Sequence, residues 1–171
     1  MKHTNDTTDE QSELFIVVDR DDNIVGYRTR GECHNDKSLT HRSVSVVLFN
    51  DHGEVLLQKR SMTKDTWPGY YTVSASGHVT KGSTYEEAAK REMEEEIGLS
   101  TDLTYQTKFY IEEPYESELV AVFTGHYNGP FKINTAELEE AKFHTQEEAI
   151  TLSDKMTSAA AHTLKVLGIL K

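Results

Sequence analysis

Glu92, Glu95 and Glu96 stand at i, i+3 and i+4 in the run Arg91-Glu92-Met93-Glu94-Glu95-Glu96-Ile97-Gly98-Leu99. On a helix this spacing puts three carboxylates on one face. Like charges that close repel and weaken a helix unless a cation lies among them. An acidic helix face taken alone is more often simply solvated. Here a glycine-led loop, Gly77 to Ser83, runs straight into the segment. Hard divalent cations such as Mg2+ commonly bridge a few carboxylates to substrate phosphates. The chemistry this pattern suits is metal-assisted work on a phosphate group.

The acidic segment needs a helix from about Thr84 to Ile97. Tyr85, Ala89, Met93 and Ile97 give it an apolar stripe, and Gly98 is placed to stop it. Ser83 with Glu86 three residues later reads as a capping box, and Glu87, one turn before Arg91, is expected to pair with it. Strands are predicted over 13–19, near 26–29, over 43–50 and over 54–59, the last two joined at Asp51-His52-Gly53. Residues 61–69 form a loop, 70–75 is extended, and strands follow near 107–112 and 118–127. A helical turn is expected at 146–150 and a closing helix over 153–170, with Met156, Ala160, Leu164 and Leu167 along one side. Strands first, a helix in the middle and a helix at the end imply a mixed sheet packed between helices, an α+β or α/β/α sandwich.

At 171 residues the chain is long enough for one domain with a real core, taken as 13–171 behind a mobile polar tail, 1–12. The formal net charge of −11 argues against a protein that grips nucleic-acid polymers, which needs a basic stripe. It leaves a phosphorylated small molecule open, because bound metals and a few placed cations reverse a local field. No apolar run reaches membrane-spanning length, so a cytoplasmic protein without a membrane partner is the default. Cys33 is the only cysteine, which rules out an intrachain disulfide and leaves it a structural role. A homodimer is the default assembly.

The stretch from Gly77 to Leu99 resembles the Nudix box, G-x5-E-x7-R-E-U-x-E-E-x-G-U, with U a bulky aliphatic residue. Gly77, Arg91, Glu92, Met93, Glu95, Glu96, Gly98 and Leu99 fall on the pattern, and Ser83 stands where the first Glu belongs. That Glu mainly supports the Arg and the metal site in the family. The resemblance implies a Nudix-type α/β/α sandwich with a mixed β-sheet between helices. It also implies Mg2+ or Mn2+ held by Glu92, Glu95 and Glu96, with Arg91 in the catalytic set.

A second constellation narrows this. His34 and His41 flank a short loop, His78 follows Gly77, and Glu116 and Glu118 alternate on an expected strand, pointing to one side. A lone His is usually a surface or hydrogen-bonded residue, but imidazole plus carboxylate is a ligand set for Zn2+, Mn2+ or Fe2+. From about Leu14 to Gly125 the chain resembles isopentenyl-diphosphate isomerase and its Nudix hydrolase relatives. The resemblance implies a second divalent metal at His34, His41, His78, Glu116 and Glu118. It places Arg30, Arg60 and Lys64 against a substrate diphosphate, a sensible clamp of charged donors. Trp67, Tyr70 and Tyr71 either line the substrate slot or pack in the core.

The departures favour hydrolysis. Ser76 occupies the position of the isomerase proton-transfer cysteine, and a hydroxyl has far too high a pKa for that work. Trp67 is the single tryptophan, whereas the isomerases carry a second over the reacting carbocation. The expected activity is therefore a Nudix hydrolase cleaving a diphosphate linkage in a nucleotide- or isoprenoid-type small molecule, with Glu95 or Glu118 as general base. The alternatives are an isopentenyl-diphosphate isomerase and a catalytically weak ligand-binding module.

Overall fold

The computed structural model describes residues 9–171. The first eight residues of the expected tail lie outside them, while Asp9 already has a buried side chain. In chain order the elements are β1 (Leu14–Val18), β2 (Ile24–Thr29), α1 (Arg30–Cys33), β3 (Thr40–Phe49), β4 (Val55–Arg60), β5 (Tyr71–Thr72), β6 (Ala75–His78), α2 (Tyr85–Ile97), β7 (Thr104–Glu112), β8 (Ser117–His126), β9 (Leu138–His144), α3 (Gln146–Thr151) and α4 (Ser158–Val166), with a 3-10 turn, Ser153–Lys155, before α4.

The β-branched run of β3 makes it the organising strand. It pairs in parallel with β8 from Thr40↔Ser117 to Phe49↔His126, antiparallel with β6, and touches β1 and β4. The parallel pairing demands a long crossover, which carries α2. Strand β7 extends the sheet beyond β8, β9 beyond β4, and β2 beyond β1. Side chains alternate along β3. Val44, Val46 and Leu48 pack with Ala88, Ala89, Met93 and Ile97 of α2, whereas Val47 joins a second cluster with Ala149, Ala160 and Leu164 from α3 and α4. The sheet therefore lies between helices, as the sequence implies. His41, Ser43 and Ser45 share the side of Val47, and Ser43 and Ser45 line a cavity.

Helix α2 is fixed at both ends. Thr84 has extended backbone and its hydroxyl accepts from the Glu87 N–H, while the Glu87 carboxylate accepts from the Thr84 N–H. Gly98 closes the helix in the left-handed region at φ 64°. The capping box thus sits one residue later than Ser83–Glu86. Glu87 is consumed by the cap and does not pair with Arg91, and Glu86 pairs with Lys90 instead.

Two further corrections concern the C-terminal third. The closing helix is broken at Met156, which turns extended (φ −96°, ψ 154°) to bury its side chain beside β5, and Thr157 then caps α4 afresh. Strand β9 was not expected, because Leu-Glu-Glu-Ala-Lys-Phe-His carries no β-branched residue. Its pairing with β4 overrides the local preference.

Candidate active site

A cavity of about 530 Å³ opens between α2, the β3–β6 edge, the 61–69 loop and the N-terminal segment. Glu92, Glu95 and Glu96 all line it, as do Arg30, Arg60, Lys64, Trp67, His78, Glu116 and Glu118. Elements distant in sequence thus bring most of the expected residues to one basin, while His34, His41 and Arg91 lie behind its lining.

The helix carboxylates are not equivalent. Glu96 is buried; Gln58 Nε2 donates to its Oε2 at 2.6 Å and the Ser76 N–H to its Oε1 at 3.1 Å. Burial pushes the Glu96 carboxyl up to about 7, against the lowering effect of those donors. Burial, then the charge of Glu96, pushes Glu92 up to about 8. Glu95 lies exposed at the rim. Among the described residues, the three helix glutamates do not converge on one point. The reason is local: Glu96 turns inward to Gln58 and Ser76, and Glu95 faces outward. Arg91 donates to the His78 carbonyl oxygen at 3.0 Å and approaches Glu92 at 3.4 Å, with Thr80 and Ser83 hydroxyls at 3.4 and 3.5 Å. It fastens the loop to the helix although Ser83 offers no charge.

The groups that do converge are His34, His41 and His78, and His41, Glu116 and Glu118. His34 closes the C-terminus of α1, His41 lies on β3, and His78 ends β6. Glu118 is paired with His41 in register, and Glu116 immediately precedes β8. His34 Nε2 lies 3.2 Å from both His78 Nε2 and Glu116 Oε2, and Glu118 Oε1 lies 3.4 Å from His41 Nε2 and 3.6 Å from His78 Nε2. Phe15 stacks on His78 at 4.3 Å and walls the cluster. Burial holds the His34 imidazole down at about 4 and His78 well below its ordinary value. Burial and the charge of Glu118 raise Glu116, whereas His41 and His78 outweigh burial and hold Glu118 low. His41 Nδ1 and Nε2 and Glu116 Oε2 are buried without a hydrogen-bond partner. Orphaned buried polar atoms are costly, and three of them within an imidazole–carboxylate set fit a divalent cation.

The expected diphosphate cations are already engaged. Arg30 forks onto Asp65, Nε to Oδ2 at 2.9 Å and Nη2 to Oδ1 at 3.0 Å, and approaches Asp9 at 3.3 Å. Lys64 contacts Asp9 and Glu137, each at 2.6 Å. Arg60 donates to the Thr66 carbonyl oxygen at 3.1 and 2.9 Å. Trp67, at φ 50°, meets Tyr70 edge-to-face and lines the cavity, while Tyr71 packs in the core beneath α4. Cys33 is buried, and burial pushes its thiol up to about 12, consistent with a structural role. Gln58, Asp65, Asp9 and Glu137 were missed. Each is a single polar residue in a strand, loop or tail, with no spacing to mark it.

The model of the NUDIX domain family matches residues 39–167, and the chain belongs to that family. Its class is that of the Nudix hydrolases. It is 34% identical over 140 residues to an uncharacterized Nudix hydrolase of Pseudomonas aeruginosa, covering 81% of this chain and 82% of that protein. It is 31% identical over 122 residues to an isopentenyl-diphosphate Delta-isomerase of Serratia proteamaculans, covering 68% of each. Its backbone matches the crystal structure of DR0079 from Deinococcus radiodurans with a TM-score of 0.79 at 23% identity, over 90% of this chain and 98% of that one. Among the described residues no helix is long and apolar enough to cross a membrane.

Proposed function

We propose that the protein hydrolyses a diphosphate linkage in a small molecule, using Mg2+ or Mn2+ held by Glu92 and Glu96 with Glu95 at the rim. The observation that carries this reading is the pair of buried, mutually repelling carboxylates, Glu92 and Glu96, in one basin with Arg60 and Lys64. A buried pair of that kind is costly without a cation and well placed with one. When bound, the metal neutralises charge on the phosphoryl oxygens and lowers the pKa of water. Arg60 and Lys64 orient the diphosphate, and Arg91 fixes the loop against the helix. Glu95 takes the proton as water oxygen attacks phosphorus and the bridging P–O bond breaks, leaving two phosphate-bearing products. Glu118 is the weaker candidate for this base, because His41 and His78 hold it low. His34, His41, His78, Glu116 and Glu118 hold a second divalent cation, supported by the orphaned atoms of His41 and Glu116.

The test is a panel of nucleotide and isoprenyl diphosphate compounds, with Mg2+ or Mn2+, scored for phosphate and monophosphate release. Hydrolysis lost in Glu96→Gln supports the reading. Conversion of isopentenyl to dimethylallyl diphosphate, followed by proton NMR, without phosphate release would overturn it in favour of an isomerase.

A further inference from the structure

Asp65 lies in the loop between β4 and β5, 1% exposed, and no metal-ligand or phosphate-binding pattern includes it. Its carboxylate meets both ends of α1. Oδ2 accepts from Arg30 Nε at 2.9 Å and faces His34 Nδ1 at 3.0 Å, and Oδ1 accepts from Arg30 Nη2 at 3.0 Å. A carboxylate forked by a guanidinium has only lone pairs to offer the imidazole. His34 therefore carries its proton on Nδ1, which makes Nε2 the acceptor nitrogen of the ring. That nitrogen points into the cluster, 3.2 Å from both His78 Nε2 and Glu116 Oε2. Phe15 packs against the His34 ring edge-on at 5.5 Å and limits its rotation.

We propose that Asp65 is the positioning residue of the histidine–glutamate centre: it fixes the tautomer and aim of His34, with Arg30 serving as its anchor rather than as a phosphate ligand. The proposal rests on the reading that this cluster binds a divalent cation. It gives two of the three cations of the cavity wall, Arg30 and Lys64, different work. Arg30 is committed to Asp65 and thereby to the histidine–glutamate cluster, whereas Lys64, the neighbouring residue, meets Asp9 and Glu137 instead. Outer carboxylates of this kind typically change metal affinity by about 10- to 100-fold.

The test uses Co2+ alone, whose visible d–d absorption reports histidine ligation and separates this centre from the carboxylates of α2. His41→Asn should abolish the band. Asp65→Ala should raise the Co2+ dissociation constant by about 10- to 100-fold, and Asp65→Asn, which keeps one acceptor but breaks the fork, should fall between. Neither variant should alter the Mg2+ dependence of turnover to the same extent. In the metal-free wild-type protein, 15N imidazole NMR should show His34 protonated on Nδ1. A wild-type spectrum with the proton on Nε2 overturns the proposal, whether or not the variants fold. Unchanged Co2+ affinity in Asp65→Ala also overturns it and leaves the metal centre standing. If the wild-type protein gives no His41-dependent band, the metal reading itself falls and the proposal with it.

Discussion

The carboxyl group of Glu92 fills the space that Gly77 leaves open: a Cβ at Gly77 would lie 2.3 Å from Glu92 Cδ and 2.5 Å from Oε1. The glycine that begins the loop is thus required by the helix that ends it. Gly77→Ala must displace Glu92 from the basin. The expected result is a loss of turnover on the order of 100-fold, the usual cost of misplacing a catalytic group by about 1 Å, with a weaker Mg2+ requirement curve. Wild-type kinetics in the variant would show that Glu92 does not act from this position.

The raised carboxyls set a pH dependence. Glu92 at about 8 and Glu96 at about 7 bind protons more tightly in the folded chain than in the unfolded one. Stability then falls as pH rises from the ordinary carboxylate range through those values, because the folded state retains the protons. In a chelator, the melting temperature should drop between about pH 5 and pH 8. Mg2+ should oppose the drop, and its effect should grow with pH as the carboxylates ionise. Glu92→Gln should flatten the slope. A melting temperature flat across this window and insensitive to Mg2+ would remove the case for a metal here.

Ser83 at the usual glutamate position has a limited effect on this geometry, since Arg91 already donates to the His78 carbonyl oxygen and reaches Glu92. Ser83→Glu should add one partly exposed ion pair and raise turnover by no more than about fivefold, the scale of about 1 kcal/mol. A gain of several orders of magnitude would show a site disabled by the serine.

Asp9 places a carboxylate on Lys64 Nζ, where an incoming phosphate would compete with it. Asp9→Asn should lower KM for the diphosphate by roughly three- to tenfold with kcat little changed, a difference of about 1 kcal/mol for a displaced ion pair. An unchanged KM, read beside an unchanged melting temperature, would show that Asp9 and substrate do not share the seat.

Helix α2 was legible because three signals agree: a 3.6-residue apolar stripe, a terminal glycine and an acidic face. The capping residue slipped by one because Ser83–Glu86 and Thr84–Glu87 are equally good patterns, and only the extended backbone of Thr84 chooses between them. The histidine–glutamate cluster was legible as a set of residue types, and the convergence follows from the parallel β3–β8 register. Asp65 and Gln58 were not legible. Asp65 lies 31 residues from His34 and Gln58 lies 38 from Glu96, so only the closed sheet makes them neighbours. The break before α4 was hidden because Met156 continues the apolar stripe of that helix while its backbone leaves the helical region.

Strand β6 is four residues long, yet both parts of the site lean on it. The Ser76 N–H holds Glu96, Gly77 makes room for Glu92, and His78 belongs to the imidazole cluster. Any shift of this short ribbon of backbone therefore moves Glu96, the seat of Glu92 and His78 together, so the acidic helix and the imidazole cluster share one mechanical support.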